Sequence, residues 1–304
     1  MTISKLGVIW NPSKIDEERL RAAVPSTLSS EVLWWETSED DPGRGMAAEA
    51  VEAGCEVVVA VGGDGTVRAV AETLAGTGVA LGIVPQGTGN LLARNLGVPL
   101  DDVEAALERV RDGEPRRIDL GWVEYGGEKR AFAVMVGFGV DAQMLVETDD
   151  DLKDRAGWLA YVEAMGRALA GTEMTDISLA LDDDEPQEVR GHTMIIGNCG
   201  MLQGGIRLLP DAVIDDGLLD LLLVSADGAL QWLDTVRSVV WDNGIRRLLG
   251  GGTEAVSTES TRHVAARRIT VALASPQQFE VDGEEVGEVD SFTVSVEPGA
   301  LIVR

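Results

Sequence analysis

Cysteine, histidine and positive charge are all scarce in this chain of 304 residues. Two cysteines, Cys55 and Cys199, build neither a disulfide framework nor a Cys-rich metal centre, which makes a reducing cytoplasm the expected compartment. Two histidines, His192 and His263, are too few and too separated for a His-based zinc site. Against 52 Asp and Glu stand 25 Lys and Arg, a net charge of −27. A nucleic-acid binder needs a basic footprint, so no nucleic-acid polymer is expected as a partner. An anionic membrane surface would repel the chain as a whole. No apolar run approaches the ~20 residues of a membrane span. The opening MTISKLGVIWNPS lacks a charged-then-apolar signal. The chain is therefore expected to be neither secreted nor membrane-spanning. The acidic runs Glu39–Asp41, Asp149–Asp151 and Asp182–Glu185 read as solvated loops rather than metal sites.

What is present is ample for two domains. Over the first ~125 residues, strand and helix patterns alternate by apolar periodicity. Strands are expected at Leu6–Trp10, Val32–Trp35, Val57–Val61 and Val79–Val84. Helices are expected at Ile15–Val24, Gly45–Ala53, Val67–Leu74, Asn90–Leu96 and Asp102–Val110, the last capped by Asp101 or Asp102. That alternation implies α/β architecture, a parallel sheet with helices on both faces. After Arg117 short strands dominate: Asp119–Tyr125, Arg130–Val136, Ile177–Leu181, Thr193–Gly197, Leu218–Val224, Ile269–Leu273, Gln278–Val281 and Phe292–Val296. They suggest an antiparallel sandwich, interrupted by helical patterns at Leu152–Leu169 and Leu230–Leu249. The division is drawn as an α/β domain over 1–122 and a β-rich domain over 123–304. Exposed edges in such a domain leave pairing into a homodimer open.

The most informative stretch is VVVAVGGDGT, from Val57 to Thr66. An apolar strand runs into three glycines around one aspartate. Open α/β sheets bind ligands at the carboxyl ends of their strands. Glycines there let backbone N–H groups approach a phosphate closely. Thr66 is expected to start and cap the following helix, whose dipole favours an anion. Asp64 beside phosphate makes sense only with Mg²⁺ or a hydroxyl proton between them, the arrangement phosphoryl transfer requires. Gly82–Asn90 repeats the pattern of strand, glycine turn and helix, so two turns at adjacent strand ends would hold a triphosphate. No P-loop sequence occurs. Gly137-Phe138-Gly139-Val140-Asp141-Ala142 matches a loose dinucleotide pattern but lies in the β-rich half, and reads as a structural turn.

Gly62-Gly63-Asp64-Gly65-Thr66, then Pro85-Gln86-Gly87-Thr88-Gly89-Asn90 with Ala93-Arg94, resembles the diacylglycerol kinase catalytic domain family. Asn11-Pro12, the segment Gly137 to Ala142, the block Pro210 to Asp220 and Val281-Asp282-Gly283-Glu284 resemble further blocks of that family, in order. NAD kinases share the GGDGT motif. The resemblance implies a lipid kinase using ATP and Mg²⁺, with diacylglycerol as the default substrate. It implies an α/β nucleotide domain, a β-sandwich domain and an active site in the cleft between. ATP would lie on Asn11, Thr37, Gly62, Gly63, Asp64, Gly65, Thr66, Val67, Arg68 and Thr88, with Gly87, Gly89 and Asn90 completing the second turn. Glu284 would be the proton acceptor. Asp216, with the carbonyls of Val213 and Leu218, would hold a structural Mg²⁺. Asp64 would act beside the phosphates through a second, catalytic Mg²⁺. From the residues alone, Asp282-Gly283 is a hairpin turn and Asp216-Gly217 an ordinary turn pair. Two departures stand out: Leu91 replaces an Asp common after the family's Gly-Thr-x-Asn, and Ser13-Lys14-Ile15 replaces a Gly found soon after Asn-Pro.

A lipid kinase must reach a bilayer surface, as a cytoplasmic protein peripheral at the membrane. The stripe Leu230, Leu233, Val236, Val240, Ile245 and Leu248, with Trp232 and Trp241, and the group Trp158, Tyr161 and Met165 are the candidates for that contact. The competing reading packs both helices against the sandwich.

Overall fold

The computed structural model describes residues 3–25, 27–139, 174–202, 208–225 and 261–304. Both long helical patterns of the second half, with Trp158, Tyr161, Met165 and the Leu230–Leu248 stripe, lie outside the described residues. So do Val140 to Ala142 and Asp149–Asp151. The chain forms two compact units. One comprises Met1–Leu120 with Ala131–Ala133 and Glu297–Arg304, the other Gly121–Arg130 with Val134–Val296.

In the first unit β1 (Ile3–Trp10), α1 (Glu17–Ala23), β2 (Ser29–Glu36), α2 (Arg44–Glu52), β3 (Val57–Gly62), α3 (Asp64–Leu74), β4 (Ala80–Pro85), α4 (Leu91–Leu96) and α5 (Val103–Asp112) follow in order. The strands stand as β4-β3-β1-β2, all parallel. All residues of β3 and β4 are buried. Their continuous apolar runs suit a parallel sheet covered by helices, with α3 packed on β3 and α5 on β4. Asp16 and Asp102 cap α1 and α5 by accepting the N–H groups of Arg19 and Ala105. From β1 the chain turns outward to β2, then crosses back to β3 and β4. The direction of winding therefore reverses between β1 and β3, the place where open α/β sheets form their ligand crevice. After α5 comes β5 (Arg116–Tyr125), and the chain's last residues return to this unit, with Ile302 beside Ala80 in parallel register.

There follow β6 (Glu128–Phe132), β7 (Met135–Phe138), β8 (Thr175–Leu181), β9 (Gln187–Gly191), β10 (Thr193–Gly197), β11 (Leu219–Val224), β12 (Thr261–Ala266), β13 (Arg268–Val281) and β14 (Glu284–Val303), which belong to the second unit except for Ala131, Phe132 and the end of β14. Its pairings β12-β11-β10-β7-β13-β14 and β13-β8-β9 are antiparallel. The expected α/β unit and β-sandwich-like unit are thus observed. Some details differ from expectation. Arg130–Val136 is two strands, β6 and β7, because the carboxylate of Asp282 takes the N–H groups of Val134 and Met135 at 2.9 and 3.0 Å. The stretches Ile269–Leu273 and Gln278–Val281 belong to one strand, β13, whose register slips between Ala272 and Gln277. Gly137 is not in a turn but within β7, where a Cβ would strike the carbonyl of Met194 on β10.

Among the described residues no helix is long and apolar enough to cross a membrane.

Candidate functional site

Four loops leave the carboxyl ends of the parallel strands side by side. Trp10 pairs with Glu36 and with Val61, and Gly62 pairs with Pro85, so β1 to β4 end at one level. Asn11 follows β1, Thr37 follows β2, Gly63 to Arg68 follow β3, and Gln86 to Asn90 follow β4. The candidate nucleotide residues are therefore brought together at one edge of the sheet. Backbone bonds continue the ladder past the strands: Asn11 N–H to Val61 O at 2.9 Å, Thr37 N–H to Trp10 O at 2.9 Å, Gln86 N–H to Gly62 O at 2.8 Å. The Asn11 carboxamide oxygen accepts from Ser13 N–H and Oγ at 2.9 and 2.7 Å, which shapes the turn after β1.

The helix after β3 begins earlier than expected. Its cap is Gly63 and its first residue Asp64. Thr66 is therefore the third residue of α3, is buried, and makes no capping bond. Its hydroxyl would lie 2.8 Å from a Cβ on Gly62, so the strand can end there only in glycine. Val67 and Arg68 are buried in the same helix, whereas Gly65 and Thr88 are exposed at the tips of their turns.

The two glycine turns touch. A Cβ on Gly87 would meet Gly63 Cα at 2.6 Å. The second turn is braced from within by Asn90, whose Oδ1 accepts Gly87 N–H at 2.9 Å while its Nδ2 donates to Gly87 O at 2.7 Å. Asn90 itself adopts a left-handed conformation at φ 48°, which asparagine tolerates better than most residues. Arg94 Nε donates to Gly89 O at 2.7 Å.

Asp64 joins the turns. Its Oδ2 accepts Asn90 N–H at 2.8 Å and its Oδ1 accepts Leu91 N–H at 2.6 Å. Burial pushes its carboxyl above the usual carboxylate range, against the pull of those two N–H groups, its own N–H and the Arg94 guanidinium. Sequence reasoning placed Asp64 beside a phosphate; its partners here are the first amides of α4. Sequence reasoning also missed Asp41. Its carboxylate accepts the N–H groups of Gly43, Arg44 and Gly45 at 2.8, 2.7 and 2.8 Å and so opens α2. The only signal was an Asp followed closely by two glycines.

In the second unit, Asp282 (φ 49°) and Gly283 (φ 79°) form the two-residue turn joining β13 to β14, with positive φ at both positions as such a turn requires. Asp282 is buried and its N–H donates to Met135 O at 2.8 Å. Glu284 follows at the start of β14, exposed, with its Oε1 4.0 Å from Arg130 Nη1. Asp216, Val213 and Leu218 share one turn before β11. Asp216 Oδ1 accepts Leu218 N–H at 3.0 Å, and Asp216 N–H donates to Val213 O at 3.4 Å. The Asp220 carboxyl nearby is pushed up to about 6, first by burial and then by the charges of Asp216 and Asp211. An oxygen-only donor set in an excess of negative charge fits a hard cation. Among the described residues, no group of three His, Cys, Asp or Glu side chains is poised to hold a metal.

The chain is similar to known proteins along its length. The model of the diacylglycerol kinase catalytic domain matches residues 5–123, and that of the YegS C-terminal NAD kinase beta sandwich-like domain matches residues 134–304. A protein of Stenotrophomonas maltophilia named "Probable lipid kinase YegS-like" is 31% identical over 99% of this chain and 96% of its own length. One of the same name from Pseudomonas aeruginosa is 34% identical over 100% of this chain and 95% of its own. A solved diacylglycerol kinase from Bacillus anthracis has the same fold, with a TM-score of 0.71 at 19% identity over 100% of this chain and 97% of its own. The chain belongs to the YegS-like lipid kinase family, in which a diacylglycerol kinase catalytic domain precedes a NAD kinase beta sandwich-like domain.

Proposed function

We propose that this kinase transfers the γ-phosphate of ATP to the hydroxyl of a membrane lipid, with diacylglycerol as the acceptor and phosphatidic acid as the product. The observation that carries the reading is the pair of glycine turns after β3 and β4, beside the point where the sheet reverses its winding. Gly65, at the start of α3, and Thr88, in the second turn, are exposed, and the α3 dipole favours an anion there. Asn11 and Thr37, at the neighbouring strand ends, complete the nucleotide surface.

In the reaction Glu284 takes the proton from the lipid hydroxyl as its oxygen attacks the γ-phosphorus, and ADP leaves with the electrons of the broken bond. Glu284 is exposed at the turn, with Arg130 Nη1 4.0 Å from its Oε1. Mg²⁺, when bound, supplies charge neutralisation at the phosphates. A second, structural Mg²⁺ is assigned to Asp216 with the carbonyls of Val213 and Leu218. The protein works in the cytoplasm and meets its substrate at the membrane surface.

The test is phosphate transfer from labelled ATP to a lipid panel, with the product identified by mass spectrometry. Label in phosphatidic acid is expected. Label in NAD instead would replace this reading with that of a NAD kinase. Glu284→Gln is expected to lower turnover by about 10²- to 10⁴-fold with ATP binding retained; an unimpaired variant removes Glu284 from its role.

A further inference from the structure

Asp64 is the obvious acid to place on a catalytic metal, yet its geometry describes a different task. Each carboxylate oxygen already accepts a backbone N–H of the second turn, from Asn90 at 2.8 Å and from Leu91 at 2.6 Å. Those amides open α4, which lacks a side-chain cap of its own, because Asn90 turns its carboxamide back onto Gly87. The space around the carboxylate is shaped to that contact. A Cβ on Gly89 would lie 2.8 Å from Asp64 Oδ2, and one on Gly87 would lie 2.6 Å from Gly63 Cα. Asp64 is the first residue of α3 and thus fixed by the strand–helix junction, while its bonds are made 26 and 27 residues further on. With Gln86 N–H on Gly62 O, three hydrogen bonds tie one turn to the other.

We propose that Asp64 is a positioning residue, whose carboxylate holds the turn Gly87–Asn90 in register with the turn Gly62–Gly65 so that the amides of both face one nucleotide. This inference rests on the nucleotide site proposed above. It differs from a catalytic role in a measurable way: losing the clamp lets the second turn drift and weakens nucleotide binding, whereas losing a catalytic acid slows the chemical step in a nucleotide complex that still forms. Leu91, whose N–H is one of the two that Asp64 accepts, is itself buried, so the clamp is anchored in the packed start of α4.

Two variants test it. Asp64→Asn keeps the shape but sets an amide N–H against a backbone N–H. Gly89→Ala leaves Asp64 intact and crowds its oxygen. For both, amide hydrogen exchange in the full chain is expected to show faster exchange at Asn90 and Leu91, while amides in β1 and β3 keep their protection. ATP, followed by equilibrium binding, is expected to bind about tenfold more weakly, the scale of one lost charge-assisted hydrogen bond. In the kinase assay the loss of kcat/KM is expected in the KM for ATP. Unchanged exchange at Asn90 and Leu91, or unchanged ATP affinity with a collapsed kcat in Asp64→Asn, overturns the proposal. Should Asp64→Asn not fold, Gly89→Ala decides alone by the same readings. Exchange reports the clamp whether or not the chain binds ATP; a wild-type chain that binds none would instead sink the nucleotide site.

Discussion

Gly63 and Gly87 meet backbone to backbone: the space a side chain on Gly87 would need is taken by the Cα of Gly63, at 2.6 Å, and by Asn90 Oδ1, at 3.0 Å. Glycine at 87 is thus a packing requirement of the two turns. Gly65 is the contrast. Nothing lies within 4 Å of a Cβ built there, its φ is not positive, and it is the second residue of α3. Folding does not demand glycine at 65; an anion approaching the exposed amides would. Gly87→Ala is therefore expected to destabilise the chain by about 1–3 kcal/mol, as overpacking does. Gly65→Ala is expected to leave stability unchanged or raise it by up to about 1 kcal/mol through helix propensity, yet weaken ATP binding. Urea unfolding and ATP titration on both variants check this. Equal destabilisation by the two, or full ATP affinity in Gly65→Ala, would contradict the distinction.

Asp41 makes stability depend on pH in acid. Burial alone would raise its pKa, but the N–H groups of Gly43, Gly45 and Arg44, with the Arg44 guanidinium, outweigh it and hold the carboxyl below the ordinary aspartate value. A depressed pKa means the folded state prefers the ionised form. The stabilisation is complete above the unfolded value, about 3.9, and is lost as pH falls through the lower folded value. Asp41→Asn is expected to cost about 1 kcal/mol at pH 7, the usual worth of such a cap. The gap between wild type and variant should hold down to about pH 4 and close below it. Urea midpoints measured from pH 7 to pH 2 report it, and a gap that persists unchanged at the acid end would refute it.

Much of this was legible in the sequence, and the failures share a cause. The strands of the parallel sheet announced themselves because buried runs such as Val57–Val61 leave no other reading. The turn Asp282-Gly283 was equally plain, since asparagine, aspartate and glycine are the residues that accept its dihedral angles. β9, with the sequence QEVRG, was missed because a mostly exposed strand shows no alternation of apolar and polar residues. β13 read as two strands because Ser275-Pro276 looks like a break, whereas the structure absorbs it as a slip in register. Hydrogen bonds between distant residues were invisible altogether. Asp64 to Leu91 and Asp282 to Val134 are set by tertiary approach, which leaves no pattern in the local sequence.

The Asp216 turn carries the last prediction. Asp220 is pushed up to about 6 by burial and by the charges of Asp216 and Asp211, so those two carboxylates repel its ionised form. A bound divalent cation relieves that repulsion, and it would do so through Asp216 and carbonyls already gathered in one turn. A ligand that binds only the folded state stabilises it by about 2.7 kcal/mol at a hundred times its dissociation constant. Mg²⁺ added to metal-free protein at pH 7.5 is thus expected to raise the thermal midpoint in a saturable manner, and Asp216→Ala to abolish the rise. The same rise in the variant would place the ion elsewhere, and a wild type indifferent to Mg²⁺ would remove the structural cation from this turn.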